Sequence, residues 1–118
     1  MKKNNTIEVN ASGQKLGRLA SRIALLLMGK DQTGWKRNEV LKRIVLVKNA
    51  SHLSILERKQ QSKVYSRYSG YPGGLKKIPM SALIARKGKK EVLRLAVMKM
   101  LPRNKLRSLR MKNLIIEE

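Results

Sequence analysis

The sequence predicts an α/β fold whose later part is mostly helical. Ile44 to Val47 is an unbroken aliphatic, largely β-branched run. That is the pattern of a strand buried on both faces, as in a parallel sheet. It comes after a strand pattern and a clear amphipathic helix, which is the order of a βαβ unit. Beyond the glycine-rich stretch 69–74, apolar residues recur at helical spacing.

Met1 to Asn5 is a polar lead-in. Thr6 to Ala11 alternates, with Ile7 and Val9 between Thr6, Glu8 and Asn10, and reads as a strand. Ser12-Gly13 is a turn. Leu16, Leu19, Ala20, Ile23, Ala24 and Leu27 then follow the three-and-four spacing of one helix face. Arg18 and Arg22 lie one turn apart on the other side, and Gly29 is placed to end the helix. Asp31 to Val40, with Trp35, Lys36 and Arg37, reads as a loop before the buried strand.

Leu53 to Leu56 is compatible with either helix or strand, and polar Glu57 to Ser62 reads as turn or loop. Val64 to Tyr68 is a short extended piece. Ser69-Gly70-Tyr71-Pro72-Gly73-Gly74 is too rich in Gly and Pro for regular structure. Pro79 can open a short helix running to Arg86, since Pro is tolerated in a first turn. Lys89 to Leu101 is a further helix with Val92, Leu93, Ala96, Val97 and Met100 inward, stopped by Pro102. Asn104 can cap a last helix to about Ile116, with Leu106, Leu109 and Leu114 inward. The length of 118 residues fits one domain, 1–118, able to bury roughly two thirds of its unfolded surface.

Composition narrows the function. The chain carries 28 Lys plus Arg against 7 Asp plus Glu, a formal net charge of +21. A small soluble domain is well served by a net charge of about 2 to 8 in magnitude. The excess is self-repulsive and points to a polyanionic partner, with nucleic acid the common case. Its distribution says more: no acid occurs between Arg58 and Lys90, and none between Val92 and Ile116. Phosphates neutralised by such stretches release condensed counterions, which drives binding without reading sequence.

Catalysis and metal binding find little support. There is no Cys and one His, His52, so thiol chemistry, zinc ribbons and His-rich metal sites are excluded. Asp31 is the only Asp, and the Glu residues are scattered apart from the terminal Glu117-Glu118. Gly29-Lys30 and Gly88-Lys89 lack the upstream Gly of a P-loop, and no G-x-G-x-x-G occurs. No cofactor or small-molecule substrate is expected. The longest purely apolar run, Ile23 to Met28, is six residues, against roughly 20 needed to span a bilayer; no membrane partner is expected.

The 69–74 loop has two readings. Its glycines let backbone amides approach phosphate oxygens, Tyr68 and Tyr71 can stack on bases or ribose, and Arg67, Lys76 and Lys77 flank it. Alternatively it is a plain surface turn with Tyr71 folded onto the core. Trp35, beside Lys36 and Arg37, can equally stack on RNA or anchor its loop.

Several motifs, in this order and at these separations, resemble the large-subunit ribosomal protein family numbered thirteen. They are Leu16-Gly17-Arg18-Leu19-Ala20-Ser21, Asn49-Ala50 after the buried strand, the Ser69 to Gly74 string, Ala96-Val97, and Met100-Leu101-Pro102 with Arg103-Asn104. The resemblance covers roughly Val9 to Ile116. It implies a three-layer α/β/α fold around a small, mostly parallel four-stranded sheet, with a helical, basic C-terminal part. It implies a structural constituent of the large ribosomal subunit that binds large-subunit rRNA early in assembly, beside neighbouring ribosomal proteins, and no catalysis.

By motif position and charge, the RNA-facing residues would be Arg18, Arg22, Lys36, Arg37, Arg67, Tyr68, Ser69, Gly70, Tyr71, Pro72, Gly73, Gly74, Lys76, Lys77, Arg86, Lys87, Arg103, Asn104, Lys105, Arg107 and Arg110. The chain departs from the family's usual His at Tyr68, Gly-Asp at Lys42-Arg43, Thr-Gly at Leu56-Glu57, Gly at Lys99 and Gly-Arg at Arg107-Ser108. The alternative function is a general RNA- or DNA-compacting basic protein. The resemblance begins so near Met1 that no cleavable transit peptide fits before it, so a ribosome in a bacterial cytoplasm is expected, with an organellar ribosome as the alternative.

Overall fold

The computed structural model describes residues 5–31, 33–34, 36, 38, 40 and 43–118. Trp35, Arg37, Glu39 and Lys42 lie outside the described residues.

Strand β1 (Asn5–Asn10) leads through a turn into helix α1 (Leu16–Met28), and the chain returns in β2 (Arg43–Lys48). The pair is parallel, with Ile7 opposite Val45 and Val9 opposite Val47. This is the βαβ unit that the apolar pattern predicts. Gly29 closes α1 as expected, its amide donating to the carbonyls of Leu25 (3.0 Å) and Leu26 (3.3 Å).

A short 3-10 turn (Ala50–His52) precedes α2 (Glu57–Ser62), β3 (Val64–Tyr68), β4 (Leu75–Pro79), α3 (Met80–Lys87), α4 (Lys89–Met100), α5 (Leu106–Met111) and β5 (Leu114–Ile116). Strand β5 pairs in parallel with β2, giving the order β1-β2-β5, while β3 and β4 form a separate antiparallel hairpin. Among the described residues the parallel sheet thus has three strands, where the family resemblance leads one to expect four.

Two local expectations are corrected, and one strand stands where the sequence suggested no element. Leu114 to Ile116 is a strand and not the end of the last helix, because a free edge of β2 is there to pair with it. Glu57 to Ser62 is a helical turn and not a loop; it buries no residue and is held by local bonds such as Ser62 Oγ to the Arg58 carbonyl, 2.8 Å. Leu75 to Pro79 is a strand, made so by its pairing with β3.

Residues on alternate positions of a strand face opposite sides of the sheet. Ile7, Val9, Val45, Val47, Leu114 and Ile116 share one face, and Val9, Val45, Val47 and Ile116 are buried there. Glu8, Ile44, Leu46 and Ile115 share the other, where Ile44 and Leu46 are half-buried and Ile115 is exposed. The strand expected to be buried on both faces is therefore fully covered on one only.

Helix α1 packs between β2 and α4. Its Leu19, Ala20, Ile23 and Ala24 meet a core that also holds Val92, Leu93 and Val97 of α4. The inner face expected for α4 is narrower than its periodicity suggests: Ala96 is only half-buried and Met100 is exposed. At the bottom of the covered face Arg43 is buried, and its Nη1 donates to Asp31 Oδ1 at 2.8 Å and to the Leu26 carbonyl at 3.3 Å. This ion pair ties the end of α1 to the start of β2. The basic residue at the first position of the strand thereby finds the chain's single Asp.

Candidate nucleic-acid interface

The 69–74 segment is the tip of the β3–β4 hairpin. The Gly74 amide donates to the Tyr71 carbonyl at 3.0 Å, closing a β-turn with Pro72 and Gly73 in its centre. Pro pre-sets the first central φ, and Gly73, at φ 76°, supplies the positive φ that a type II turn demands at the second. Gly74 meets a different constraint: a Cβ there would overlap the Ser69 hydroxyl and crowd the Tyr71 carbonyl. The two glycines therefore shape the turn, and Tyr71, 75% exposed, is not folded onto the core. The reading of the loop as a turn capped by a buried tyrosine is thus removed.

Arg67, Tyr68, Ser69, Gly70, Pro72, Gly73, Lys76 and Lys77 are all exposed on this hairpin. Among the described residues no carboxylate pairs with Arg67, Lys76 or Lys77. At its base, Tyr65 and Ile78 pair across the strands and pack against the core. The ammonium groups of Lys63 and Lys99 lie 5.8 and 5.2 Å from the centre of the Tyr65 ring, within the range of cation–π attraction. Burial pushes the Tyr65 phenol above its ordinary pKa, so the ring beneath these cations stays neutral.

This clasp joins surfaces far apart in sequence. Lys99 belongs to the last turn of α4, just ahead of Met100-Leu101-Pro102 and the basic segment from Arg103. Met100 Sδ in turn accepts a bond from Ser21 Oγ of α1 at 3.4 Å. Ser21 stands between exposed Arg18 and Arg22. The outer face of α1, the segment after α4 and the hairpin are thus linked in one neighbourhood through side chains of the last turn of α4.

The family model described as Ribosomal protein L13 matches residues 4–116. The chain belongs to the ribosomal protein L13 family. It is 45% identical over 98 residues to the large ribosomal subunit protein uL13 of Thermus thermophilus, covering 83% of this chain and 69% of that one. It is 42% identical to uL13 of Treponema pallidum over 108 residues, 92% of this chain and 75% of the relative. It is 44% identical to uL13m of Schizosaccharomyces pombe, again over 108 residues, 92% and 69% of the two chains. As an L13-family member the chain is a structural ribosomal protein and not an enzyme. Among the described residues no group of three His, Cys, Asp or Glu could hold a metal ion, and no helix is long and apolar enough to cross a membrane.

In this L13 chain the segment after α4 splits in two. Arg103, Asn104 and Lys105 are exposed; Lys105, not Asn104, is the N-cap of α5, while Asn104 Oδ1 one residue earlier accepts from the Leu106 amide at 3.0 Å. Arg107 is half-buried. Arg110, expected to face RNA, is 2% exposed, whereas Leu109, expected to face inward, is 45% exposed. The reason is helical phase: the inward face of α5 pairs Leu106 with the residue four positions on, which is Arg110. Arg110→Ala is accordingly expected to lower the melting temperature of the free protein, a loss on the order of 2 kcal/mol, and to leave the salt slope of RNA binding unchanged. Lys105→Ala is expected to do the reverse, with a slope smaller by about 0.9. Thermal melts and salt titrations of the two variants check both.

Arg86 and Lys87 are exposed, but they close α3 just before Gly88, at the opposite end of α4 from Lys99. A 12-residue helix is about 18 Å long, so this pair forms a separate cationic point and not part of the clasped surface. Lys36 is exposed within its loop, and Arg37 lies outside the described residues. The sequence reading missed Lys63 and Lys99 as positioning residues. The replacement of a customary Gly at Lys99 is the signal that could have found them.

It also passed over a polar cleft of about 280 Å³ at the carboxyl ends of β1 and β2, lined by Glu8, Val9, Asn10, Lys48 and Asn49. Asn49 takes a left-handed φ of 61°, and its Nδ2 donates to Asn10 Oδ1 at 3.1 Å, pinning the two strand ends together.

Near the start of α4, Glu91 accepts two bonds from Arg94, at 2.7 and 3.1 Å, which hold its carboxyl below the usual glutamate range. The folded state then binds fewer protons than the unfolded one through that range. The contribution is complete above the ordinary glutamate pKa and is lost as pH falls through the lowered value. Glu91→Gln is expected to flatten the acid limb of the stability–pH curve, as denaturant melts at neutral and acid pH will read.

Proposed function

We propose that the chain is a single rRNA-binding domain of the large ribosomal subunit, contacting large-subunit rRNA and neighbouring ribosomal proteins and supporting early subunit assembly and translation. The observation that carries this is the clasped basic surface: Arg18 and Arg22, Arg103 and Lys105, and Arg67 and Lys76 are exposed on the elements that Met100, Lys99 and Tyr65 link, with Lys77 exposed on the hairpin's other face. Tyr68 and Tyr71 add exposed rings to that surface. A-form RNA hides base edges in a deep, narrow groove, so contacts of this kind read phosphate, ribose and shape.

The relatives compared come from bacteria and, as uL13m, from a fungus; we place the chain on the ribosome of a bacterium, with an organellar ribosome as the alternative. The three-layer arrangement with a fourth strand is part of the same proposal. The third layer is supported by the second face of the sheet, where Ile44, Leu46 and Ile115 make an apolar surface that it would cover.

Sedimentation tests the function. The tagged chain is expected to co-migrate with large subunits and their precursors at moderate salt. A chain that stays at the top of the gradient, or that random duplex competes off as well as rRNA does, sinks the reading.

A further inference from the structure

In the β3–β4 hairpin, residues opposite one another share a face and neighbours along a strand alternate. The register sets Arg67 against Lys76, Tyr68 against Leu75 and Ser66 against Lys77. Arg67 and Lys76 therefore stand side by side on one face. Tyr68, Leu75 and Lys77 stand on the other. Toward the tip both faces are open: all of these residues are exposed, Tyr68 by 64% and Leu75 by 54%.

The two faces carry different chemistry. Like charges directly opposite in a sheet are destabilising, and no acid lies between Arg58 and Lys90 to relieve this pair. An anion seated between Arg67 and Lys76 does relieve it, and an Arg–Lys pair suits a backbone phosphate. On the other face, an exposed ring beside an aliphatic side chain, with an ammonium group next along the strand, suits a single nucleotide. The base or ribose packs on Tyr68 and Leu75, and the phosphate meets Lys77.

Resting on the rRNA-binding reading above, we propose that the hairpin is a wedge between two RNA segments, gripping the phosphates of one and an unstacked nucleotide of the other. A two-stranded ribbon with its side chains is roughly 10 Å thick. The deep major groove of an A-form duplex is too narrow to admit it, and the shallow minor groove meets one face only. The partner is therefore a junction where two segments pass on either side of the hairpin.

The chain has no Cys, so single thiols introduced by Ser66→Cys and Lys76→Cys can each carry a short azidophenacyl photocrosslinker on one face. Each full-length variant is bound to large-subunit rRNA and irradiated. The two faces are expected to crosslink to nucleotides in two separate segments. Adding Tyr68→Ser and Leu75→Ser is expected to abolish the position-66 crosslinks and spare those from position 76. Overlapping crosslinks from both faces, with rRNA still retained, overturn the wedge. Failure of the unmodified chain to retain rRNA at all overturns instead the reading on which it rests.

Discussion

Raising salt from 50 to 200 mM is expected to weaken binding of the chain to large-subunit rRNA by about 10³-fold or more. A protein that neutralises about six to ten phosphates loses about 10³- to 10⁵-fold over that interval through counterion release. The clasped surface offers Arg18, Arg22, Arg67, Lys76, Arg103 and Lys105, and the hairpin's other face adds Lys77, all exposed. Ion pairs among the described residues involve Arg43, Lys48 and Arg94, none of them on that surface. Filter binding across the salt series measures the slope. An affinity that changed less than about tenfold would mean that the surface engages at most one or two phosphates, and the phosphate-clamp mechanism would be wrong.

Ile23→Ala is expected to cost about 2–5 kcal/mol, the range for truncating a large aliphatic side chain in a packed core. Ile23 is fully buried on α1, the helix that touches both β2 and α4. A domain of this size has about 5–15 kcal/mol in all, so the variant stands near the edge of folding. Leu25→Ala, two residues on and 46% exposed, is expected to change stability by less than about 1 kcal/mol. Paired thermal melts of the free chain decide it: equal losses would mean that α1 does not present its Ile23 face to the core.

The difference between these two positions was legible in the sequence. The apolar spacing of α1 predicts which of its residues are buried, and Gly29 marks its end, because helical periodicity and αL caps are local properties. The strand at Ile44 was legible for the same reason. Strands β4 and β5 were not. Leu75 to Pro79 carries two lysines and a proline, and Leu114 to Ile116 continues an apolar helical rhythm. Each becomes a strand only because a partner, β3 or β2, offers an unpaired edge.

The interface divides in the same way. The acid-free basic stretches and the Tyr-Pro-Gly-Gly turn stand in the sequence as written. That Arg110 points inward while Leu109 points out depends on where α5 starts and which way its six residues turn. Charge identity alone assigns both residues the wrong way round.

By itself the sequence determined the polyanion partner, the βαβ opening, the glycine-rich loop at 69–74 and the family, since charge, periodicity, turn chemistry and motif order are properties of neighbouring residues. The tertiary structure alone decided the strand order β1-β2-β5, the pairing of Arg43 with Asp31, and the clasp by which Met100 and Lys99 draw α1, the segment after α4 and the hairpin together. Those depend on contacts between residues tens of positions apart. Such contacts form only when burial of the shared core offsets the entropy of closing the loops between them.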